Sequence, residues 1–277
     1  MTRTPDSSTR PWWRRGSTML AAAVGATVLT PVLVSDRPAD SCRAEVRDVR
    51  YHGRSSQVYT YACEHSAAES ATPRGVLVHL HGDGAGEFDT TATDPTLGEL
   101  AQVAASRDMV LVAPRTPDRH RGQTWWRALD RNVTWLTALV TDLLAEGHAG
   151  GRPLDDGDVW WSGYSGGAEM LSYGILRSAP DLVSGGAVMM AGGGAPDEFP
   201  VGAAGALTAP VRWSVGDRDD GTRSSDGFDA LGAARDGSVW YRRHSAANVE
   251  LEVLPGVAHL DFPQSTTVDR MLGDARQ

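Results

Sequence analysis

Residues 160–170 read WWSGYSGGAEM. One serine, Ser165, stands among Gly163, Gly166 and Gly167, directly behind an apolar run. The spacing is G-x-S-x-G. In a strand-to-helix turn, that spacing lifts a serine hydroxyl clear of the backbone, where it can attack a substrate. Glycine supplies 31 of the 277 residues, so the pentapeptide alone is also what a glycine-rich turn with an incidental serine would look like. Its surroundings decide between the two.

Those surroundings alternate. Residues 75–81 (GVLVHLH), 108–113 (DMVLVA), 158–162, 186–190 (GAVMM), 211–215 and 249–254 are short apolar runs of strand length. Between them, residues 96–107 and 132–146 place apolar side chains three or four apart, the helical period. A helix over 167–177 and shorter ones over 226–235 and 262–272 complete the pattern. Apolar strands alternating with helices predict an α/β chain with a mostly parallel central sheet and helices on both faces. No internal repeat or long linker divides residues 36–277, which read as one catalytic domain.

In that order Ser165 ends a strand and opens a helix. Gly163 and Gly167 then remove side chains that would collide across a tight reversal, and the helix start aims backbone N–H groups at the site. A serine nucleophile needs a base, and the base needs an orienting acid, here expected downstream in the order serine, acid, histidine. The strand over 249–254 runs into PGVAHLDF, which offers His259. His244 precedes that strand and falls at the wrong edge of the sheet. The strand over 211–215 runs into GDRDD, which offers Asp219 first, with Asp217 and Asp220 as alternatives. The oxyanion of acyl transfer needs fixed donors. The N–H of Gly166 is one candidate. The N–H of Asp83, in the HLHGDGAGE loop, is the other, with Gly84 as its alternative.

Taken together, HG with a glycine-rich loop, GYSGG, GDRD and GVAH resemble the α/β-hydrolase superfamily. Within it they are similar to secreted bacterial esterases of the polyhydroxybutyrate depolymerase and feruloyl esterase kind. The resemblance covers residues 75–277 and implies an α/β-hydrolase fold. It also implies a Ser165–Asp219–His259 triad acting on a small-molecule or polymer ester, with no metal and no organic cofactor. Relatives of that kind often carry cysteine directly after HG, where this chain has Asp83. Two other readings compete. His79, His81 and Asp83 have H-x-H-x-D spacing, and alternate strand residues share a face, so they could hold a metal ion for hydrolysis. A non-catalytic binding protein on a hydrolase fold is the third class.

Composition narrows the partners. A net charge of −9 argues against nucleic acid, which calls for a basic face. Arg10, Arg14 and Arg15 precede an apolar run over 19–34 that is too short and too broken by Gly and Pro to span a membrane stably. Residues 1–35 therefore read as a signal peptide, and the protein as secreted. Export suits the two cysteines. Cys42 and Cys63 bracket two alternating strands around His52–Gly53. A two-residue turn there sets the cysteines opposite each other at a non-hydrogen-bonded pair, where side chains are closest, and predicts a disulfide. Residues 191–210 are too short for a large helical lid, which suits an open cleft. Trp125 and Trp126 are candidates for a substrate platform at its mouth.

Overall fold

The computed structural model describes residues 42–63, 75–88, 96–119, 122–150, 152–154, 157–199, 205–223, 227–245 and 247–274. The signal-peptide reading of residues 1–35 lies outside them. These residues belong to one compact unit spanning Asp40–Gln277.

The chain opens with β1 (Cys42–Tyr51) and β2 (Arg54–Cys63), an antiparallel hairpin. His52 and Gly53 both have positive φ, 49° and 77°. That conformation gives the turn a twist matching its strands. The turn fixes the register, and the register ends on Cys42 opposite Cys63. Their Cα atoms lie 4.0 Å apart and a disulfide joins them. Then follow β3 (Gly75–Leu80), α1 (Thr96–Ala105), β4 (Val110–Pro114) and α2 (Leu129–Glu146). A two-residue pairing of β5 (His148–Ala149) with β6 (Arg152–Pro153) leads to β7 (Asp158–Tyr164). Beyond it lie α3 (Gly166–Met170), a π-helical turn over Leu171–Ile175, α4 (Leu176–Ser178) and β8 (Gly186–Met190). The chain closes with β9 (Val211–Gly216), α5 (Ala230–His244), β10 (Val249–Leu254) and α6 (Gln264–Asp274).

Eight strands form one sheet in the order β1-β2-β4-β3-β7-β8-β9-β10. From β4 to β10 every neighbour is parallel, and β2 joins β4 antiparallel. The hairpin is thus the edge of the main sheet rather than a separate flap. All six residues of β3 and all five of β4 and of β8 are buried, as strands covered on both faces must be. On one face Leu77, Leu111, Ala113, Val188 and Met190 pack with Leu97 and Leu100 of α1 and Val268 and Leu272 of α6. Alternation sends Val76, Val78, Val110 and Val112 to the other face. Among the described residues no helix is long and apolar enough to cross a membrane.

One element departs from expectation. The helix before β10 runs over Ala230–His244 rather than 226–235. Asp229 caps it by accepting the Gly232 N–H, which delays its start. Gly237 lies inside it where glycine would be expected to end it. The reason is packing: a Cβ there would overlap the Gly193 carbonyl oxygen and lie 2.9 Å from Trp213 Nε1.

The Cys42–Cys63 bridge closes a loop of 21 residues' separation, for which chain entropy gives about 3 kcal/mol of stabilisation. Reduction with dithiothreitol is expected to lower the urea unfolding free energy of the protein by about that amount. Equal midpoints for the oxidised and reduced protein would refute it.

Candidate active site

Five loops leave the carboxyl ends of β3, β7, β8, β9 and β10 at one edge of the sheet, the edge where parallel α/β sheets build their sites. Ser165 stands at its centre, between β7 and α3, with φ 49° and ψ −115°. That backbone is strained for any residue but glycine, and it holds the hydroxyl clear of the turn. Two neighbours make it possible. A Cβ on Gly163 would lie 2.5 Å from the Gly167 oxygen, and one on Gly167 would overlap the Leu80 carbonyl. Both glycines are therefore required by close backbone crossings.

Ser165 Oγ lies 2.9 Å from His259 Nε2. His259 Nδ1 lies 2.8 Å from Asp219 Oδ2. A carboxylate only accepts, so the Nδ1–H donates to Asp219 and leaves Nε2 bare to accept from the serine. Asp219 is 2% exposed. The alternatives are engaged elsewhere: Asp217 Oδ1 accepts the Gly256 N–H at 2.7 Å. Asp220 Oδ1 accepts from Thr222 N and Oγ1, and these bonds hold its exposed carboxyl below the ordinary range.

The loop after β3 lies against the serine. A Cβ on Gly82 would be 3.6 Å from Ser165 Cβ, and one on Gly166 would be 3.5 Å from Asp83 N. The Asp83 and Gly166 backbones therefore flank the same point beside the hydroxyl. Gly84 does not take part, because its N–H donates to the carbonyls of Gly122 and Gln123 at 3.0 and 3.3 Å.

The tryptophan pair divides. Trp125 is fully buried and its Nε1–H donates to the His81 carbonyl, so it packs the core and no ring of it reaches the mouth. Trp126 is half-buried, and its Nε1–H donates to Asp83 Oδ2 at 2.7 Å. A platform at the mouth therefore rests on Trp126 alone.

The residues of the metal alternative are bound otherwise. His81 Nδ1 donates to the Gly82 carbonyl, and its Nε2 accepts the Thr116 N–H. His79 Nδ1 meets Ser162 Oγ at 2.9 Å. Burial pushes the two imidazoles down to about 4 and about 3, so both stay neutral. Both nitrogens of His81 are spent on backbone, which removes it as a ligand and corrects the H-x-H-x-D reading.

Two functional neighbours escaped sequence reasoning. Tyr164 donates its hydroxyl to the His259 carbonyl at 2.7 Å, and its ring lies 5.3 Å from the imidazole. Glu169 is 1% exposed, one turn beyond Ser165. It accepts the N–H groups of Gly193 and Gly194 at 2.8 and 3.4 Å. It thereby holds the loop after β8, in which Ala191 and Gly193 have φ of 51° and 94°. Only an acidic residue inside the apolar run GGAEMLSYGI signalled it.

Burial pushes the Glu169 carboxyl up to about 7; the Gly193 and Gly194 N–H groups oppose the rise and the charge of Asp83 adds to it. Between its ordinary value of 4.5 and about 7, the folded protein keeps a proton that the unfolded chain releases. Stability from this group is full below that window and is lost as pH rises through about 7. Glu169→Gln keeps an acceptor for Gly193 without titrating. Wild type is expected to lose stability relative to this variant as pH rises from about 5 to 8, read from urea midpoints. A difference that stays constant with pH would contradict the assignment.

No family model and no curated protein matches the sequence. Solved structures do. The chain is similar to dienelactone hydrolase from Anabaena variabilis, at 14% identity over 84% of this chain and 96% of that one, with TM-score 0.55. It is also similar to a Xanthomonas campestris protein described as an α/β serine hydrolase without lid, at 14% identity, 86% and 96% coverage and TM-score 0.52. Est1E from Butyrivibrio proteoclasticus, with ferulic acid bound, matches at 11% identity, 82% and 96% coverage and TM-score 0.54. The sheet order, the turn at Ser165 and these likenesses agree: the chain has the α/β-hydrolase fold.

Proposed function

We propose that this chain is a secreted serine hydrolase that cleaves carboxylic esters through a covalent acyl-enzyme. One observation carries the reading: a continuous path of short hydrogen bonds from Ser165 Oγ through His259 to the buried Asp219. In the proposed reaction Ser165 Oγ attacks the ester carbonyl while His259 Nε2 takes its proton. Asp219 holds the tautomer and stabilises the imidazolium. The N–H groups of Gly166 and Asp83 receive the oxyanion. Collapse of the tetrahedral intermediate breaks the bond to the alkoxy oxygen, which leaves with the proton from His259. Water then attacks the acyl-serine, giving up its proton to His259, and the carboxylic acid departs as Ser165 regains its hydrogen.

The cleft suits accessible esters, of a small molecule or a polymer. Among the described residues of 191–210 there is no helix to act as a lid. Trp126 at the rim offers a ring to an acyl or aromatic group, and the ferulic acid bound to Est1E makes aromatic esters a class to include in a substrate screen. The arginine-led apolar N-terminus and the Cys42–Cys63 bridge both support export to an oxidising setting.

Ser165→Ala is expected to lower kcat on p-nitrophenyl acetate by on the order of 10⁶ and to abolish labelling by a fluorophosphonate, with the circular dichroism spectrum unchanged. A variant that keeps a tenth of the activity would show that Ser165 is not the nucleophile.

Asp219→Asn is expected to cost on the order of 10⁴ in kcat, because an amide cannot hold the required tautomer. Asp217→Asn, which alters only the cap on Gly256, should stay within a few-fold of wild type. The opposite ranking would move the orienting acid to Asp217.

A further inference from the structure

The residue after HG carries a carboxylate to a place where a hydrolase needs positive potential. Asp83 is exposed, and a Cβ on Gly166 would overlap its Oδ1. Its other oxygen is held by the Trp126 indole N–H at 2.7 Å, so the group is oriented rather than free to swing away. The indole is steadied in turn by the Arg127 guanidinium, 5.0 Å from its centroid and itself exposed to solvent. Gly82, next to Asp83, lies against Ser165 Cβ. A substrate carbonyl seated between Ser165 Oγ and the Gly166 N–H therefore places its first substituents beside a fixed negative charge. The buried Glu169 feels that charge too.

For a neutral ester, the carboxylate opposes the developing oxyanion and is a cost. For a substrate carrying a cation nearby, the same charge attracts the substrate. An anionic substrate meets two repulsions. We propose that the Asp83 carboxylate sets substrate choice, favouring esters whose acyl group bears an ammonium within a few bonds of the scissile carbonyl and rejecting acyl groups that bear a carboxylate. The proposal rests on the serine-hydrolase reading and names the substrate class of that site.

Three p-nitrophenyl esters of similar size test it: the β-alanyl ester (cationic), the butyryl ester (neutral) and the hemisuccinyl ester (anionic). Each kcat/KM is divided by the ester's own uncatalysed rate. Wild type at low salt is expected to rank them cationic, neutral, anionic, with at least about ten-fold between the extremes. Asp83→Asn keeps the backbone donor and the side-chain shape. It is expected to shrink the cation-to-anion ratio by about ten-fold, and 0.5 M NaCl should shrink the wild-type ratio in the same direction. A ratio indifferent to both Asp83→Asn and salt overturns the proposal. Fluorophosphonate labelling of Ser165 separates the two levels. A labelled enzyme without charge preference refutes only the role of Asp83, whereas an enzyme that neither labels nor turns over any of the three esters refutes the hydrolase reading with it.

Discussion

The backbone crossing at the end of β7 constrains everything else in this protein. Three stretches of main chain meet there without side chains between them, Gly163 against Gly167 and Gly167 against Leu80 and His81, and Gly82 leaves room for the Tyr164 ring. A Cβ at Gly163 or Gly167 would drive the strands apart or push the α3 turn outwards. Because none is present, β3 and β7 run side by side to their ends, and the loop after β3 comes to rest on the serine. The positive φ of Ser165 is the cost of that closeness, on the order of 1–3 kcal/mol for a non-glycine residue. The buried sheet on either side offsets it. Strain at one residue thus places the hydroxyl, the Gly166 N–H and the Asp83 N–H together.

The imidazole reaches this point from the other side, and its position also depends on backbone. The loop after β10 is tied twice, by Tyr164 holding the His259 carbonyl and by Asp217 holding the Gly256 N–H. In the loop after β9, the Asp219 carbonyl accepts the Leu231 N–H near the start of α5. Neighbouring acids in GDRDD therefore have separate tasks. Asp217 fastens one loop to the next, Asp219 turns inward to the histidine, and Asp220 stabilises its own turn with Thr222. Of the three acids only Asp219 is buried, so a shift by one residue would exchange a buried partner for a solvated one.

What was readable in the sequence was what local chemistry dictates. Glycines two residues either side of Ser165, apolar strand runs and the His52–Gly53 turn all act through backbone sterics, which a sequence displays directly. The hairpin register followed from the turn alone, and it placed Cys42 against Cys63. What escaped depends on contacts between distant segments. Trp125 and Trp126 are adjacent and chemically identical, yet one fills the core beneath His81 and the other meets Asp83 at the surface. In the sequence Glu169 is one acidic residue inside the run GGAEMLSYGI. Its role appears only when the loop after β8 folds over it and presents two N–H groups. The helix expected over 226–235 continues to His244 through Gly237, whose packing partner, the Gly193 carbonyl, lies far away in sequence. His79 and His81 had the spacing of a metal pair, and only the Thr116 and Gly82 backbones show that His81 is spent.

Three carboxyl groups surround one serine, and their environments divide their charges. Asp219 is buried against the His259 imidazole, whose cation it would stabilise in the proposed reaction. Asp83 is exposed, and water screens it in the absence of substrate. Glu169 is 1% exposed, and burial pushes its carboxyl up to about 7. Below that value it is neutral and still binds the Gly193 N–H through one oxygen. Above it, a buried charge would lie one turn beyond Ser165, opposed by the charge of Asp83. A buried acid that stays protonated through the acidic range thus braces the loop after β8 while adding no charge near Ser165. Asp83, exposed beside Gly166, is then the acid through which the proposed charge preference would act.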